Sequence, residues 1–165
     1  MDWVLETAVS YSIDLKRGNV PIAIDWGGGD GNAVGDPLKK RNVNVIEVHG
    51  NASSNLDSKK YANKRAELYG EAARRLDPAG DFRMMPFALP DNQRLKAELV
   101  APEKIYAGHD GEKFYITPKG RRGSDENYNG KTLHEILGRS PDRADALVYC
   151  LYALRNQRRR RLIVA

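Results

Sequence analysis

Two acidic segments combine residue types that can bind a divalent metal. Asp25 ends the apolar run IAID and is followed by the glycine-rich loop WGGGDG. Asp142 and Asp145 lie three residues apart in SPDRADAL, at the start of a predicted helix. Carboxylate oxygens suit Mg²⁺ or Mn²⁺, and glycines beside a carboxylate leave room for water and a phosphate. We therefore interpret Asp25, Asp142 and Asp145 as candidate catalytic acids, and we expect Asp25 and Asp145 to bind the metal.

Each of these acids also has a structural explanation. Asp25 can cap the loop after its strand. Acids in the first turn of a helix offset the helix dipole, which accounts well for Asp142. The dipole accounts less well for Asp145, because Ala146 and Leu147 carry the chain into a segment that is predicted to be buried. A carboxylate at the edge of a core needs a partner, and a metal shared with a second acid is one.

The glycine loop gives little support to a nucleotide site. GGGDGNA approaches the G-x-G-x-x-G pattern, but Asp25 and Asp30 place negative charge where a pyrophosphate would lie. No lysine–serine or lysine–threonine pair follows the loop, so the Walker pattern fails as well. Nucleotide binding is kept as an alternative, and it predicts saturable binding that Asp145→Asn leaves unchanged.

The basic residues favour a polyanionic partner. The net charge is +5, the chain ends in RNQRRRRLIVA, and KGRR follows a predicted hairpin in which lysines interleave with Tyr106, Phe114 and Tyr115. Such a surface suits a nucleic-acid backbone. The alternatives are cross-strand packing of the aromatic residues and a tail that only keeps the protein soluble. The candidate DNA-binding residues of this segment are Lys113, Lys119, Arg121 and Arg122.

Length and composition predict one globular domain. The chain has 165 residues, of which 41% are hydrophobic and 30% charged, and it lacks a signal-peptide pattern. No apolar run approaches the roughly 20 residues of a membrane span, so we expect a soluble, cytoplasmic protein. The single cysteine, Cys150, excludes an internal disulfide and a cysteine-rich zinc site, and we expect it to lie in the core.

Apolar periodicity and turn residues predict an α/β chain. A strand, a glycine loop, a helix and a second strand in that order are typical of a right-handed parallel crossover. Ser140 is the predicted cap of the last helix, with Pro141 at its first position. Helices are predicted at 2–19, 33–42, 58–76, 91–100 and from 140 onward, strands at 20–24, 43–48, 82–86, 104–107 and 113–116, and a loop at 119–130.

The order and spacing of three motifs resemble the C-terminal nuclease domain of bacteriophage terminase large subunits. The motifs are IDWGGGDG…DPLKKRNVNVIEV, YANKRAELY and SPDRADAL, and the resemblance extends over residues 4–154. It implies an RNase H-like mixed sheet flanked by helices, with an auxiliary β-hairpin, over residues 1–154. Residues 155–165 then form a basic C-terminal tail. The implied activity is metal-dependent cleavage of double-stranded DNA during packaging into a capsid.

The resemblance also assigns roles at matched positions. Asp25 on the central strand and Asp145 on the final helix are expected to ligate two Mg²⁺ or Mn²⁺ ions, with Asp142 as a possible helper. Lys64 and Arg65 of the central helix are expected to reach DNA. The implied partners are the terminase ATPase region, the small terminase subunit and the portal, in the cytoplasm of a bacterial host.

The chain departs from the family pattern at its start. Terminase nuclease domains begin with a three-strand meander whose first strand carries another essential aspartate. The acids upstream of Asp25 here are Asp2, Glu6 and Asp14, and none ends an apolar strand. We therefore expect a fragment, a separately encoded piece or a shortened homologue. The alternative function is a non-catalytic module that binds DNA or docks on the packaging motor.

Overall fold

The computed structural model describes Glu6 and residues 20–27, 30–77, 79, 89–107, 111–120 and 128–163, with the backbone alone for Ala107 and 157–163. The chain forms two compact units. Residues 1–51 and 149–165 make the first unit, and residues 52–148 make the second. Within the described ranges each unit contains one two-stranded sheet.

The first unit contains a strand–helix–strand element. Its parts are strand β1 (Ile22–Asp25), helix α1 (Gly31–Lys40) and strand β2 (Val45–Val48). The two strands pair in parallel, with Asp25 opposite Val48. Leu38 of α1 is fully buried, and branched residues of both strands pack around it. The parallel pairing of the predicted crossover is therefore confirmed.

Two glycines of α1 make room for Trp26. A Cβ atom on Gly35 would lie 2.2 Å from Cζ3 of the Trp26 ring, and one on Gly31 would lie 2.6 Å from the backbone oxygen of Asp25. Lys39 also contacts this ring, with its Nζ 4.4 Å from the centroid of the Trp26 ring. Gly31, which the sequence interpretation assigned to open space beside Asp25, therefore serves close packing, and so does Gly35.

The second unit is built on a central helix and a hairpin. Its elements are helix α2 (Lys64–Leu76), helix α3 (Gln93–Val100), strands β3 (Lys104–Ala107) and β4 (Lys113–Ile116), helix α4 (Leu133–Leu137) and the first turns of helix α5 (Asp142–Ile163). The strands form the predicted antiparallel hairpin, with Tyr106 opposite Phe114. The backbone of Phe114 also bonds on its other side to Lys60 and Ala62 at 3.0 Å each, so β4 lies between two backbone partners.

Helix α2 begins later than the sequence pattern predicts. Residues 58–63 form turns, and the helix begins at Lys64 because Asn63 caps it. The Asn63 side chain accepts a hydrogen bond from the Ala66 N–H at 2.9 Å. Farther along, Gly70 leaves space for the ring of Tyr61, whose Cε1 would lie 2.7 Å from an added Cβ.

A buried carboxylate organises the loop before α2. Glu67 is fully buried, and its Oε2 accepts hydrogen bonds from Ser54 Oγ at 2.9 Å and from Asn55 N–H at 3.0 Å. The Lys64 ammonium lies 2.7 Å from the same oxygen. Because a buried charge requires this many partners, the group fixes the loop against the first turn of α2.

A second buried carboxylate fixes the start of α5. Glu98 Oε2 accepts the backbone N–H of Arg143 at 2.8 Å and that of Ala144 at 3.3 Å. The sequence predicts Ser140 as the cap, but these two first-turn N–H groups are satisfied by Glu98 of α3 instead. Arg139 donates to the other oxygen of Glu98 at 3.1 Å.

Some predictions fall outside the described residues, and the predicted burial of Cys150 is wrong. Of the predicted helix 2–19 only Glu6 is described, and it is helical. The predicted strand 82–86 and residues 121–127 of the predicted loop lie outside the description. Cys150 is exposed, so the prediction that it lies in the core is wrong. Ala146, four residues earlier on α5, is exposed too, because this apolar segment does not bury every face. No helix in the described part of the chain is long and apolar enough to cross a membrane.

Candidate metal and DNA-binding site

Asp145 lies in the first turn of α5 and is almost completely buried. Its relative exposure is 6%. Its Oδ1 accepts a hydrogen bond from the Tyr69 hydroxyl of α2 at 2.7 Å. An acid in the first turn can offset the helix dipole while it is exposed to solvent. The dipole alone therefore does not explain why Asp145 is buried.

The second oxygen of Asp145 faces a lysine. Lys119 Nζ lies 2.7 Å from Oδ2, and the Lys119 side chain is 37% exposed while that of Asp145 is 8% exposed. The contact is a close ion pair, and no other group of the described residues bonds to Oδ2. A hard cation could use this oxygen by displacing the ammonium.

Arg65 connects Tyr69 to the segment that carries Lys119. The Arg65 guanidinium lies 5.0 Å from the centroid of the Tyr69 ring. Its Nη1 donates to the backbone oxygen of Thr117 at 2.8 Å. Its Nε and Nη2 are buried and have no hydrogen-bond partner among the described residues. Arg65 therefore ties α2 to the end of the hairpin, immediately before the Lys119 that approaches Asp145.

The hydroxyl of Tyr69 is a donor over the whole ordinary pH range. Burial raises the pKa of Tyr69, and the neighbouring Asp145 carboxylate raises that pKa further, while Arg65 opposes both effects. The net direction is upward. The hydroxyl therefore keeps its proton near neutral pH and can donate it to Asp145.

The two other predicted acids have different surroundings. Asp142 is exposed at the start of α5. Asp25 belongs to the first unit, and in the described residues its carboxylate accepts one hydrogen bond, from the Gly27 N–H of its own loop at 3.0 Å. That contact is the one expected of a strand-end carboxylate that caps its loop.

The predicted DNA-binding residues divide by exposure. Lys113 on β4 is exposed, and Lys119 is partly exposed. Lys64 is 5% exposed and paired with Glu67, and this burial argues against a DNA contact for Lys64. Arg121 and Arg122 lie outside the described residues.

Among the described residues, no group of three histidines, cysteines or acids could hold a metal by itself. What the second unit does assemble is one buried carboxylate, one tyrosine hydroxyl and two basic side chains. The predicted residues that meet there are Asp145, Lys119 and, through Tyr69, Arg65.

Comparison with solved structures gives the fold. The nuclease domain of the large terminase subunit gp2 of bacterial virus Sf6 matches 90% of this chain and 69% of its own length, with a TM-score of 0.60 and 19% identity. A single-residue variant of that domain, with manganese and β-thujaplicinol, also matches 90% of this chain and 69% of its own length, with a TM-score of 0.59 and 20% identity. The chain has the fold of a terminase nuclease domain. The RNase H-like α/β architecture predicted from the three motifs is thereby confirmed.

The other comparisons found no relatives. No family model matches the sequence, and no curated protein matches it either. At about one-fifth identity, the structural likeness concerns the fold. The chemistry must therefore be argued from the residues of this chain.

Tyr69 is the site residue that the sequence reasoning missed. Tyr69 follows Arg65 by four residues in YANKRAELY, so the two side chains share one face of α2. That spacing was a usable signal for the pair. The partner of Tyr69 was not readable, because Asp145 lies 76 residues farther along the chain.

Proposed function

We propose that this chain is a metal-dependent endonuclease module of a phage-type DNA-packaging terminase and that it hydrolyses phosphodiester bonds of double-stranded DNA. The observation that supports this most strongly is the buried Asp145 carboxylate on a terminase-nuclease fold, whose Oδ2 is contacted by Lys119 alone among the described residues. The gp2 neighbour solved with manganese makes a divalent ion the natural candidate for that oxygen.

The residues fit such an ion in chemical type. Asp145 supplies a hard oxygen ligand, and we propose Asp25 as a second ligand and Asp142 as a helper on the strength of the three-motif resemblance. A pair of bound Mg²⁺ or Mn²⁺ ions would activate water and stabilise the departing 3′ oxygen. Oxygen ligands accept either metal.

The side chains around Asp145 have separable tasks in this proposal. Tyr69 holds Oδ1, and Lys119 offsets the carboxylate charge at Oδ2. Lys113, Lys119, Arg121 and Arg122 neutralise the phosphates of the bound duplex. Arg65 holds the end of the hairpin through Thr117 and stays close enough to this surface to be a further candidate for DNA.

The second candidate is a module that keeps the fold and binds DNA or the packaging motor without cleavage. It is favoured by the Asp25 carboxylate, whose one hydrogen bond in the described residues comes from its own loop. In that case the ATPase region, the small terminase subunit and the portal are still the expected partners. The basic surface then binds DNA, and the acids have no catalytic role.

Plasmid nicking distinguishes the two candidates. The protein is incubated with supercoiled plasmid and Mn²⁺ beside Asp25→Asn, Asp145→Asn and, as an exposed acidic control, Asp36→Asn. Nicking that requires Asp25 and Asp145 but not Asp36 is the expected result. No nicking by the wild-type chain, with plasmid binding that survives all three substitutions, would establish the non-catalytic candidate.

A further inference from the structure

The two oxygens of Asp145 are in unequal environments. Oδ1 accepts a hydrogen bond from the Tyr69 hydroxyl at 2.7 Å, an ordinary distance for O–H···O. Oδ2 is contacted at 2.7 Å by the ammonium of Lys119, a partly exposed side chain that a cation could displace. The carboxylate is therefore anchored through one oxygen and left available to cations through the other.

Tyr69 is well suited to anchor a carboxylate. It is 7% exposed, and its ring is held by the Arg65 guanidinium at 5.0 Å. The ring also lines a small apolar cavity of about 90 Å³ with Ala72, Ala73 and Ile116. Burial and the guanidinium therefore restrict the ring, and with it the position of the hydroxyl.

A rigid donor on one oxygen sets the orientation of the whole carboxylate plane. Metal ligands in proteins are commonly held this way by neighbouring hydrogen-bond partners, and loss of such a partner weakens metal binding about 10- to 100-fold. An ordinary interhelical hydrogen bond would stabilise the packing of α2 on α5 and would have no such effect on metal affinity.

We propose that Tyr69 is a positioning residue for the metal site: its hydroxyl holds Oδ1 of Asp145 and thereby directs Oδ2 to the cation. This inference rests on the proposed function, because it takes Asp145 as a metal ligand. It adds a residue that none of the sequence motifs assigned to the site.

The test is Mn²⁺ binding by titration calorimetry on the intact chain without DNA. Tyr69→Phe keeps the ring and removes only the hydroxyl. Tyr61→Phe is a matched control, because the Tyr61 hydroxyl also donates to a carboxylate oxygen, Glu71 Oε1. That hydrogen bond is longer, 3.3 Å against 2.7 Å for Tyr69. Tyr69→Phe is expected to weaken Mn²⁺ binding about 10- to 100-fold, while plasmid affinity without metal is unchanged and Tyr61→Phe binds Mn²⁺ like the wild type.

Asp145→Asn separates failure of this inference from failure of the proposed function. If Asp145→Asn abolishes Mn²⁺ binding and Tyr69→Phe leaves it intact, only the positioning role is overturned. If Asp145→Asn binds Mn²⁺ as the wild type does, the metal role of Asp145 fails, and the inference fails with it. A Tyr69→Phe chain that does not fold, beside a folded Tyr61→Phe, would assign the hydroxyl a structural role and overturn the proposal as well.

Discussion

The backbone N–H of Arg143 donates a 2.8 Å hydrogen bond to Oε2 of Glu98, a fully buried carboxylate on a different helix. Arg143 lies two residues before Asp145, so this bond fixes the turn that carries the candidate ligand. Ala144 donates to the same oxygen, and Arg94 and Arg139 contact the other one. Glu98 is thus the cap of α5 and the counter-charge of two arginines.

Removing this cap is expected to destabilise the second unit. Glu98→Ala leaves two arginines and two helix N–H groups without their acceptor, and loss of one partner of a buried ionic network costs about 3–5 kcal/mol. Glu98→Gln keeps the shape and should cost less, about 1–3 kcal/mol. Urea denaturation measures both, with the exposed Glu103→Gln as control. Wild-type stability in Glu98→Ala would contradict the capping role.

The pH dependence of stability should carry the signature of the same residue. Burial raises the pKa of Glu98, but the hydrogen bonds from Arg143, Ala144 and the two arginine side chains outweigh burial, so the net pKa lies below the ordinary 4.5. A lowered pKa means that the stabilisation is present above 4.5 and is lost as the pH falls through the lower folded-state value. Glu98→Gln is therefore expected to lose less stability than the wild type on acidification, whereas Glu103→Gln should follow the wild-type curve.

Lys64 and Lys113 should respond to substitution in opposite ways. Lys64→Met leaves Glu67 buried without its ammonium partner, so we expect a loss of about 3–5 kcal/mol in unfolding free energy and unchanged DNA affinity. Lys113→Met removes an exposed charge, which should leave stability within about 0.5 kcal/mol and reduce the salt dependence of DNA binding by about one ion. Urea denaturation and DNA titrations at several salt concentrations measure the two effects. Normal stability with weakened DNA binding in Lys64→Met would return Lys64 to the DNA surface.

Local chemistry in the sequence predicted local structure well. The hairpin at 104–116 and the parallel strand pair follow from alternating apolar residues and turn residues, and both are present. The start of α2 was misplaced by six residues, although Asn63 is a good cap, because the apolar pattern continues upstream into the turns of 58–63. Turn residues, alternating apolar residues and helix caps all act on residues that are close to them in the sequence.

Contacts between distant segments could not be predicted from the sequence. The hydroxyl of Tyr69 and the carboxylate of Asp145 are 76 residues apart, and Glu98 and Arg143 are 45 apart. Burial of Glu98 and Lys64 runs against the usual exposure of charged residues, so nothing in composition or periodicity marks these positions. The need of Asp145 for a partner could be predicted, because its charge conflicts with the apolar segment around it. Lys119 was identified as a cation, but its specific partner was not.

Gly35→Ala should reverse the usual effect of this substitution. In an open helix the change stabilises by about 1 kcal/mol. Here the new Cβ would lie 2.2 Å from Trp26 Cζ3, so displacement of the ring should cost about 1–3 kcal/mol in unfolding free energy. Urea denaturation followed by circular dichroism measures the change. In a Trp26→Leu background the clash is absent, and the alanine should be neutral or stabilising. A stabilised Gly35→Ala in the wild-type background would show that Trp26 does not pack there.

Lys119→Gln should separate stability from metal affinity. Without the ammonium, the buried Asp145 carboxylate loses its counter-charge, so the metal-free protein should melt at a lower temperature. The same change removes the cation that competes for Oδ2. A charged contact of this kind is worth about 1.5 kcal/mol, and 1.4 kcal/mol is tenfold in binding, so Mn²⁺ should bind roughly tenfold more tightly. Calorimetry and thermal denaturation measure the two effects, with the exposed Lys113→Gln on the preceding strand as control. Weaker Mn²⁺ binding in Lys119→Gln would mean that the lysine supports the cation site instead of competing for its oxygen.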